Sequence, residues 1–332
     1  MSIGVGVIGA GIMGADHVRT LDRFVSGATV TMVADVDVAR AHEAIREVPG
    51  ARATEDPLAL IADSAVDAVL VASHDATHAD LAIAAAGRGK PVLCEKPLAP
   101  TVADCIRVVR AGGALVSVGF MRRFDPGYVE LKAAIDGGTC GTPLLAHCVS
   151  RGVSAAPGAT AEATLMGSAI HELDIVPWLL GAPIVDVAWH APRASVAAGG
   201  LQDPQLLLLR TADGVLTTVE AFLNARYGYD IRCEVVGEHG TVALANPAAI
   251  VTAADRAVGT AYPSDWRPRF ADAYRLELQA WVDAIARDRP SPLASAHEGL
   301  VATAAAEAAI ASMRRGGGFV AVEVPALEPS AR

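Results

Sequence analysis

The chain has 332 residues, of which 52% are hydrophobic, and carries a formal net charge of −10. That much apolar material argues against disorder, and the length suggests two domains rather than one core. An acidic balance with no Lys/Arg run longer than two residues argues against a nucleic-acid or anionic-membrane surface, so a neutral small molecule is the expected partner.

The opening, MSIGVGVIGAGIMG, lacks the basic start of a signal peptide and reads as a first strand. No apolar run reaches the roughly 18 residues of a membrane span. Five β-rich runs, at 4–9, 29–35, 67–73, 91–95 and 114–120, alternate with alanine-rich stretches of helical periodicity. This alternation predicts a parallel sheet covered on both faces. The rhythm then changes. A helix over 127–138 precedes a strand at 143–151, a small-residue loop and a helix over 167–181. Strands follow at hairpin spacing over 184–191, 205–214, 215–224, 229–240 and 241–246, with TADG and GEHG as turns. Two long helices, about 268–288 and 296–314, and a strand at 318–324 close the chain, and the tail PALEPSAR reads as frayed. The predicted fold class is α/β: a Rossmann doubly wound parallel sheet over 1–120, then an α+β domain with a mostly antiparallel sheet over 121–332. The strand QLLLLR is too apolar for a solvated sheet face, which suggests a homo-oligomer, dimer or tetramer. Cys94, Cys105, Cys140, Cys148 and Cys233 are odd in number with no CxxC pair. They read as reduced thiols of a cytoplasmic protein, and no metal is expected.

Gly9, Gly11 and Gly14 form GAGIMG directly after the first strand and at the opening of a helix, with Ile12 and Met13 between the last two glycines. A tight turn, a close approach to pyrophosphate and close helix–strand packing each need a missing side chain. The helix N-terminus then offers free N–H groups to the phosphates. Asp35 ends the next strand, 21 residues beyond Gly14. A carboxylate there accepts from a ribose diol and repels a 2′-phosphate, so NAD is expected rather than NADP. In SHDATHA, Ser73, His74 and His78 flank the end of the 67–73 strand. The two histidines have no third metal ligand and are read as cofactor-edge residues. In CEKPLA, Glu95 and Lys96 leave the 91–95 strand at the edge where open α/β sheets bind ligands. Pro97 keeps Lys96 out of the helical region, and an amine there can stabilise a developing alkoxide. An EKP triplet alone is equally an ordinary loop.

His171 lies near the start of the 167–181 helix. The residue four positions earlier is Gly167, which can supply no carboxylate to orient its ring. HELDI does not complete a zinc HExxH helix, since Ile175 occupies the fifth place. A histidine near a helix start is also often simply packed or solvated.

With these elements in place, the chain resembles the Gfo/Idh/MocA oxidoreductase family over nearly its full length, and within it the inositol-dehydrogenase branch. The stretches that carry the likeness are VIGAGIMG, DAVLVAS, CEKPLA, VGFMRRFDPGYVELK, IHELDIVPWLL and YGYDIRCEVVGEHG. The resemblance implies NAD as cofactor, held by the residues named above. It implies a cyclic polyol as substrate, a ring hydroxyl oxidised to a ketone by hydride transfer, and Lys96 and His171 as the catalytic pair. An imidazole, with an ordinary pKa of about 6.5, suits a proton taken and returned near neutrality. Met121, Arg122, Gly152, Gly167, Tyr227 and Tyr229 match substrate-lining positions; Arg122 rather than Arg123 is favoured by the match. Two residues depart from the pattern: Gly167 replaces an aspartate and Gly152 an amide. Both remove polar atoms and suggest an enlarged pocket for a modified cyclitol, such as an amino-, deoxy- or glycosylated inositol. The alternatives are a sugar or amino-sugar dehydrogenase of the same family, or a non-catalytic NAD-binding sensor.

Overall fold

The computed structural model describes residues 2–245 and 250–326. The end of the tail expected to fray, and Asn246 of the strand expected at 241–246, lie outside the described residues.

In the first part of the chain, β1 (Ile3–Ile8), α1 (Ile12–Phe24), β2 (Ala28–Ala34), α2 (Val38–Ala44), β3 (Arg52–Thr54), α3 (Pro57–Ala62), β4 (Ala68–Val71), α4 (His78–Ala86), β5 (Val92–Glu95), α5 (Val102–Gly112) and β6 (Val116–Gly119) alternate. Next come α6 (Pro126–Asp136), β7 (Pro143–Arg151), α7 (Ala161–Thr164), α8 (Ile170–Leu180), β8 (Ile184–His190), β9 (Gln205–Thr211), β10 (Leu216–Phe222), β11 (Asp230–Gly237) and β12 (Gly240–Ala243). The last elements are β13 (Val251–Ala254), β14 (Ala257–Thr260), α9 (Trp266–Ala286), β15 (Ala294–Ser295), α10 (Ala296–Arg314) and β16 (Phe319–Ala321).

The chain forms two compact units. Residues up to Phe124 join Asp272–Thr303 in the first, and Asp125–Ala271 joins Ala304–Glu323 in the second. A single cut at 120/121 misses this return, because composition carries no sign of which unit a late helix packs on. In the first unit the strand order is β15-β6-β5-β4-β1-β2-β3, parallel except for β15. This is the Rossmann order, whose direction reverses between β1 and β4 and leaves a ligand edge at the strand C-termini. β4, β5 and β6 are buried at every residue, as continuous apolar runs must be when helices cover both faces. Val5, Val7, Leu21, Leu70 and Leu93 cluster with Leu278, Trp281 and Val282 of α9. Burial of these aromatic and aliphatic groups, each contributing about 1.5–3 kcal/mol, is what returns the late segment to this core.

In the second unit the order is β12-β11-β7-β10-β9-β8-β16. The β7–β10 pair is parallel, and the other described pairs are antiparallel. Burial alternates along β7, β9 and β10. Cys148, Leu207, Leu209 and Val219 are buried, while Leu206, Leu208 and Glu220 on the opposite face are half-exposed. Two features of this unit differ from expectation, as do the short strands β3 and β15 of the first unit. The helix expected to open at 167 is preceded by α7 and a π-helical turn, Leu165–Ala169; Gly167 and Ser168 are poor helix formers and hide the turn in the sequence. The β13–β14 hairpin is also unexpected. Its turn residues Asp255 and Arg256 take φ of 51° and 63° without the glycine that marks such two-residue turns. All five cysteines are free and buried. Among the described residues, no helix is long and apolar enough to cross a membrane.

Candidate active site

Five of the six parallel strands in the first unit, all but β3, deliver an expected functional residue just beyond their C-terminal ends. β1 leads into Gly9, β2 into Asp35, β4 into Ser73, β5 into Lys96 and β6 into Met121. The glycine loop divides its labour as a dinucleotide loop should. Gly9 has φ +94°, and a Cβ there would lie 2.5 Å from the Ala72 carbonyl oxygen. A Cβ at Gly14 would lie 1.8 Å from the Gly9 carbonyl oxygen, so α1 can lie this close to the loop only without a side chain there. At Gly11 a Cβ would meet nothing within 4 Å, leaving open approach for a ligand. α2, α3, α5 and α6 are capped by Asp37, Asp56, Thr101 and Asp125, but α1 starts at Gly11 with no side-chain cap. Its first N–H groups and positive dipole end therefore suit an anion. Ile12 beside them is 63% exposed, and Met13 is half-buried. The Asp35 carboxylate accepts the Ala10 N–H at 2.7 Å and the Asp37 N–H at 2.9 Å, which holds it against this loop. A dinucleotide fits the donor set.

Beyond β4, the Ser73 hydroxyl lies 2.7 Å from that of Thr77, and exposed His74 accepts the Ala76 N–H through Nδ1. His78 behaves differently. It is buried, with Nδ1 2.8 Å from the Pro97 carbonyl oxygen and Nε2 3.1 Å from that of Ser73. Both partners are acceptors, so each contact needs a donated ring proton, and a neutral imidazole supplies one. Its polar atoms hold protein backbone. Lys96 is half-buried and joined to Pro97 by a cis peptide. Glu95 before it is buried; one oxygen accepts the Lys96 N–H at 3.1 Å and the other lies 2.7 Å from His17 Nε2. Burial alone would raise the Glu95 carboxyl. The hydrogen bond and charge of His17, with the Lys96 ammonium, outweigh burial and hold it below its ordinary value of 4.5. After β6, Met121 and Arg122 are buried in a one-turn helix, whereas Arg123 pairs with Glu298 at 2.6 Å. Arg122 is thus the buried arginine of the two.

In the second unit, His171 occupies the first turn of α8 and is 9% exposed, followed by buried Glu172 and Asp174. The two glycine departures prove unlike each other. A Cβ at Gly167 would meet nothing within 4 Å. One at Gly152 would lie 3.1 Å from the Leu223 carbonyl oxygen, and the Gly152 backbone donates to Phe222 and accepts from Ala225. A side chain at Gly167 would thus have room, whereas at Gly152 the Leu223 backbone crowds the position. The Tyr227 hydroxyl bridges Arg151 Nη1 at 3.0 Å and Asp230 Oδ2 at 2.5 Å. Burial and then Asp230 raise this phenol against the pull of Arg151. Tyr229 packs its ring edge-on to Phe270, centroids 6.2 Å apart.

Sequence reasoning missed His17, and also the bidentate Arg151–Glu220 pair that anchors Tyr227. A signal for His17 exists: it shares the buried face of α1 with Gly14, Val18 and Leu21, a polar residue on an apolar stripe.

Residues 3–120 match the model of the GFO_IDH_MocA oxidoreductase family with its NAD-binding Rossmann fold, and residues 132–323 match that family's C-terminal alpha/beta domain. An inositol 2-dehydrogenase of Paenarthrobacter aurescens is 53% identical over 96% of this chain and 98% of its own length. One of Saccharopolyspora erythraea is 51% identical over 95% of each chain. The crystal structure of myo-inositol dehydrogenase from Lactobacillus casei, in complex with NAD(H) and myo-inositol, superposes with a TM-score of 0.94 at 33% identity, covering 99% of both chains. With an uncapped glycine-loop helix, an aspartate at the next strand end and both family domains matched, the chain belongs to the Gfo/Idh/MocA family of NAD-dependent oxidoreductases.

Proposed function

We propose that the chain oxidises a ring hydroxyl of an inositol-like cyclitol to the ketone. The reading rests above all on the half-buried lysine, Lys96, at the mouth of the same parallel sheet that carries the glycine loop; identities of 51–53% to inositol 2-dehydrogenases support the cyclitol class. Gly9, Gly11, Ile12, Met13 and Gly14 hold the pyrophosphate of NAD, and Asp35 holds its adenosine ribose. Ser73, His74 and Glu95 border the rest, with His78 supporting the backbone beneath. When bound, NAD supplies the hydride acceptor. Lys96 donates a hydrogen bond to the reacting oxygen, and His171 takes the hydroxyl proton. Met121, Arg122, Tyr227 and Tyr229 line the polyol site with Gly152 and Gly167, the arginine and phenols supplying donors for a ring of hydroxyls.

The missing carboxylate at Gly167 leaves open space beside the histidine's helix, which favours a cyclitol bearing an extra group. The half-exposed face carrying Leu206 and Leu208 pairs with further copies of the chain in a homo-oligomer, dimer or tetramer, and the five free cysteines support a cytoplasmic location. The test is NADH appearance with a panel of myo-inositol, its stereoisomers, amino-, deoxy- and glycosylated inositols, hexoses and amino sugars, beside calorimetric NAD binding. Turnover confined to cyclitols supports the reading. Brisk turnover of unmodified myo-inositol alone removes the modified-substrate part of it, preference for a hexose or amino sugar moves the enzyme to the sugar branch, and NAD binding without turnover makes it a sensor.

A further inference from the structure

His17 faces the sheet from α1 and is 1% exposed, as deeply buried as the apolar residues around it. Its ring meets Tyr274 edge-on, with centroids 5.6 Å apart at 75°. Among the described residues its Nδ1 has no hydrogen-bond partner, so Nε2, on Glu95, is the ring's polar attachment. A buried carboxylate and histidine that served only to fill space would be a poor solution. Desolvating charge costs several kcal/mol, and an apolar pair of similar volume is often as stable or more so. What the pair does hold is the lysine loop: the second Glu95 oxygen accepts the Lys96 N–H, and on the far side of the lysine His78 Nδ1 lies 2.8 Å from the Pro97 carbonyl oxygen.

We propose that His17 is a positioning residue for Lys96: by fixing Glu95 it sets the backbone that carries the lysine and ties it to α1, the helix whose N-terminus is the glycine loop. Cofactor loop and lysine loop then form one mechanical piece, and displacement of α1 passes through the imidazole–carboxylate contact to the amine. For its kinetic arm the proposal rests on the dehydrogenase reading above; its spectroscopic arm does not.

The chain has three lysines, Lys90, Lys96 and Lys132, so reductive methylation with isotope-labelled formaldehyde gives lysine NMR signals few enough to assign through Lys→Arg variants. His17→Leu should move the Lys96 signal and leave that of Lys132, in the second unit, in place. His17→Gln, whose amide nitrogen reaches the position of Nε2, should return it. In turnover, His17→Leu should lower kcat about 10²-fold while the cyclitol KM changes less than about threefold, and His17→Gln should recover most of the loss, as expected for a misplaced rather than a missing group. Should His17→Leu not fold, His17→Asn, too short to reach Glu95, makes the same comparison against His17→Gln. An unmoved Lys96 signal in the folded Leu or Asn variant, or a Gln variant no better than Leu or Asn, overturns the proposal. A wild-type protein that turns over no cyclitol defeats the function proposed above and leaves the NMR comparison to decide this one.

Discussion

The two units treat their candidate catalytic groups in opposite ways. On the Rossmann side, Lys96 rides a loop whose flanking polar atoms are engaged: Glu95 by His17 and the Lys96 N–H, Pro97 by His78. On the other side, His171 begins a helix entered through a π-helical turn, with Gly167 where relatives of the inositol branch are expected to carry a carboxylate and with open space around it. Donors fixed before the substrate arrives need no reorganisation during reaction, whereas π turns and vacant side-chain positions are places where a site changes shape and taste. The contrast teaches where this chain tolerates change. The loop that carries Lys96 is tightly held, and the turn before His171 has room at Gly167.

The hardest way to break that contrast is to remove the two candidate catalytic groups. Lys96→Met and His171→Leu should each lower kcat/KM by about 10²–10⁴-fold, the usual worth of a positioned proton-transfer group. NAD affinity should survive His171→Leu. If calorimetry and steady-state rates showed His171→Leu nearly as fast as wild type, the second unit would be contributing binding alone.

Within the constrained side, the glycines give the next largest effect. Gly14→Ala puts a Cβ 1.8 Å from a backbone oxygen, and the helix must move, a change of about 4 kcal/mol or more in stability. Gly11→Ala enters open space, so it should melt within about 3 °C of wild type yet bind NAD about tenfold more weakly, roughly 1.4 kcal/mol. Thermal melts and NAD titrations separate the two; equal melting temperatures would mean the third glycine is not a packing glycine.

These differences also mark what the sequence made legible. GAGIMG and Asp35 could be read because a glycine's steric demands are local and the next strand end lies a fixed distance on. His17 and Glu95 are 78 residues apart, and only the packing of α1 on the sheet brings them together. His78, read as a cofactor-edge residue, turns inward because its helix begins there. At 167 the glycine itself is plain in the sequence. The π turn that surrounds it, and the filled space at Gly152, depend on backbone geometry that no residue type announces.

A smaller effect follows from Glu95 and acid. Its folded-state pKa lies below 4.5, so its charged form contributes stability above that pH, and the contribution is lost as pH falls below 4.5 through the lower folded value. His17→Leu leaves burial opposed only by Lys96, and the folded-state pKa rises. The stability gap between wild type and His17→Leu should therefore be widest near neutrality and shrink on acidification through 4.5, by up to about 1.4 kcal/mol per pH unit. Urea unfolding at a series of pH values measures it. A gap that grows with acid would mean that the imidazole does not stabilise the carboxylate.

The smallest expected change is the most telling for the open side. Gly167→Asp introduces a carboxylate where a Cβ has room, one helical turn before His171, so folding should be undisturbed. If a carboxylate at 167 improves the orientation of the imidazole, kcat on unmodified myo-inositol should rise several-fold, about 1 kcal/mol in the barrier. If the space instead receives part of a larger substrate, the same variant should lose turnover of the substituted cyclitol while gaining little on the plain one. Gly152→Asn is the control, because its Cβ meets the Leu223 carbonyl oxygen at 3.1 Å. An amide there must displace backbone, and it should help neither substrate. Equal gains from both variants would mean that polarity anywhere near the polyol is what the site lacks, and the distinction between a filled and an open glycine would lose its functional meaning.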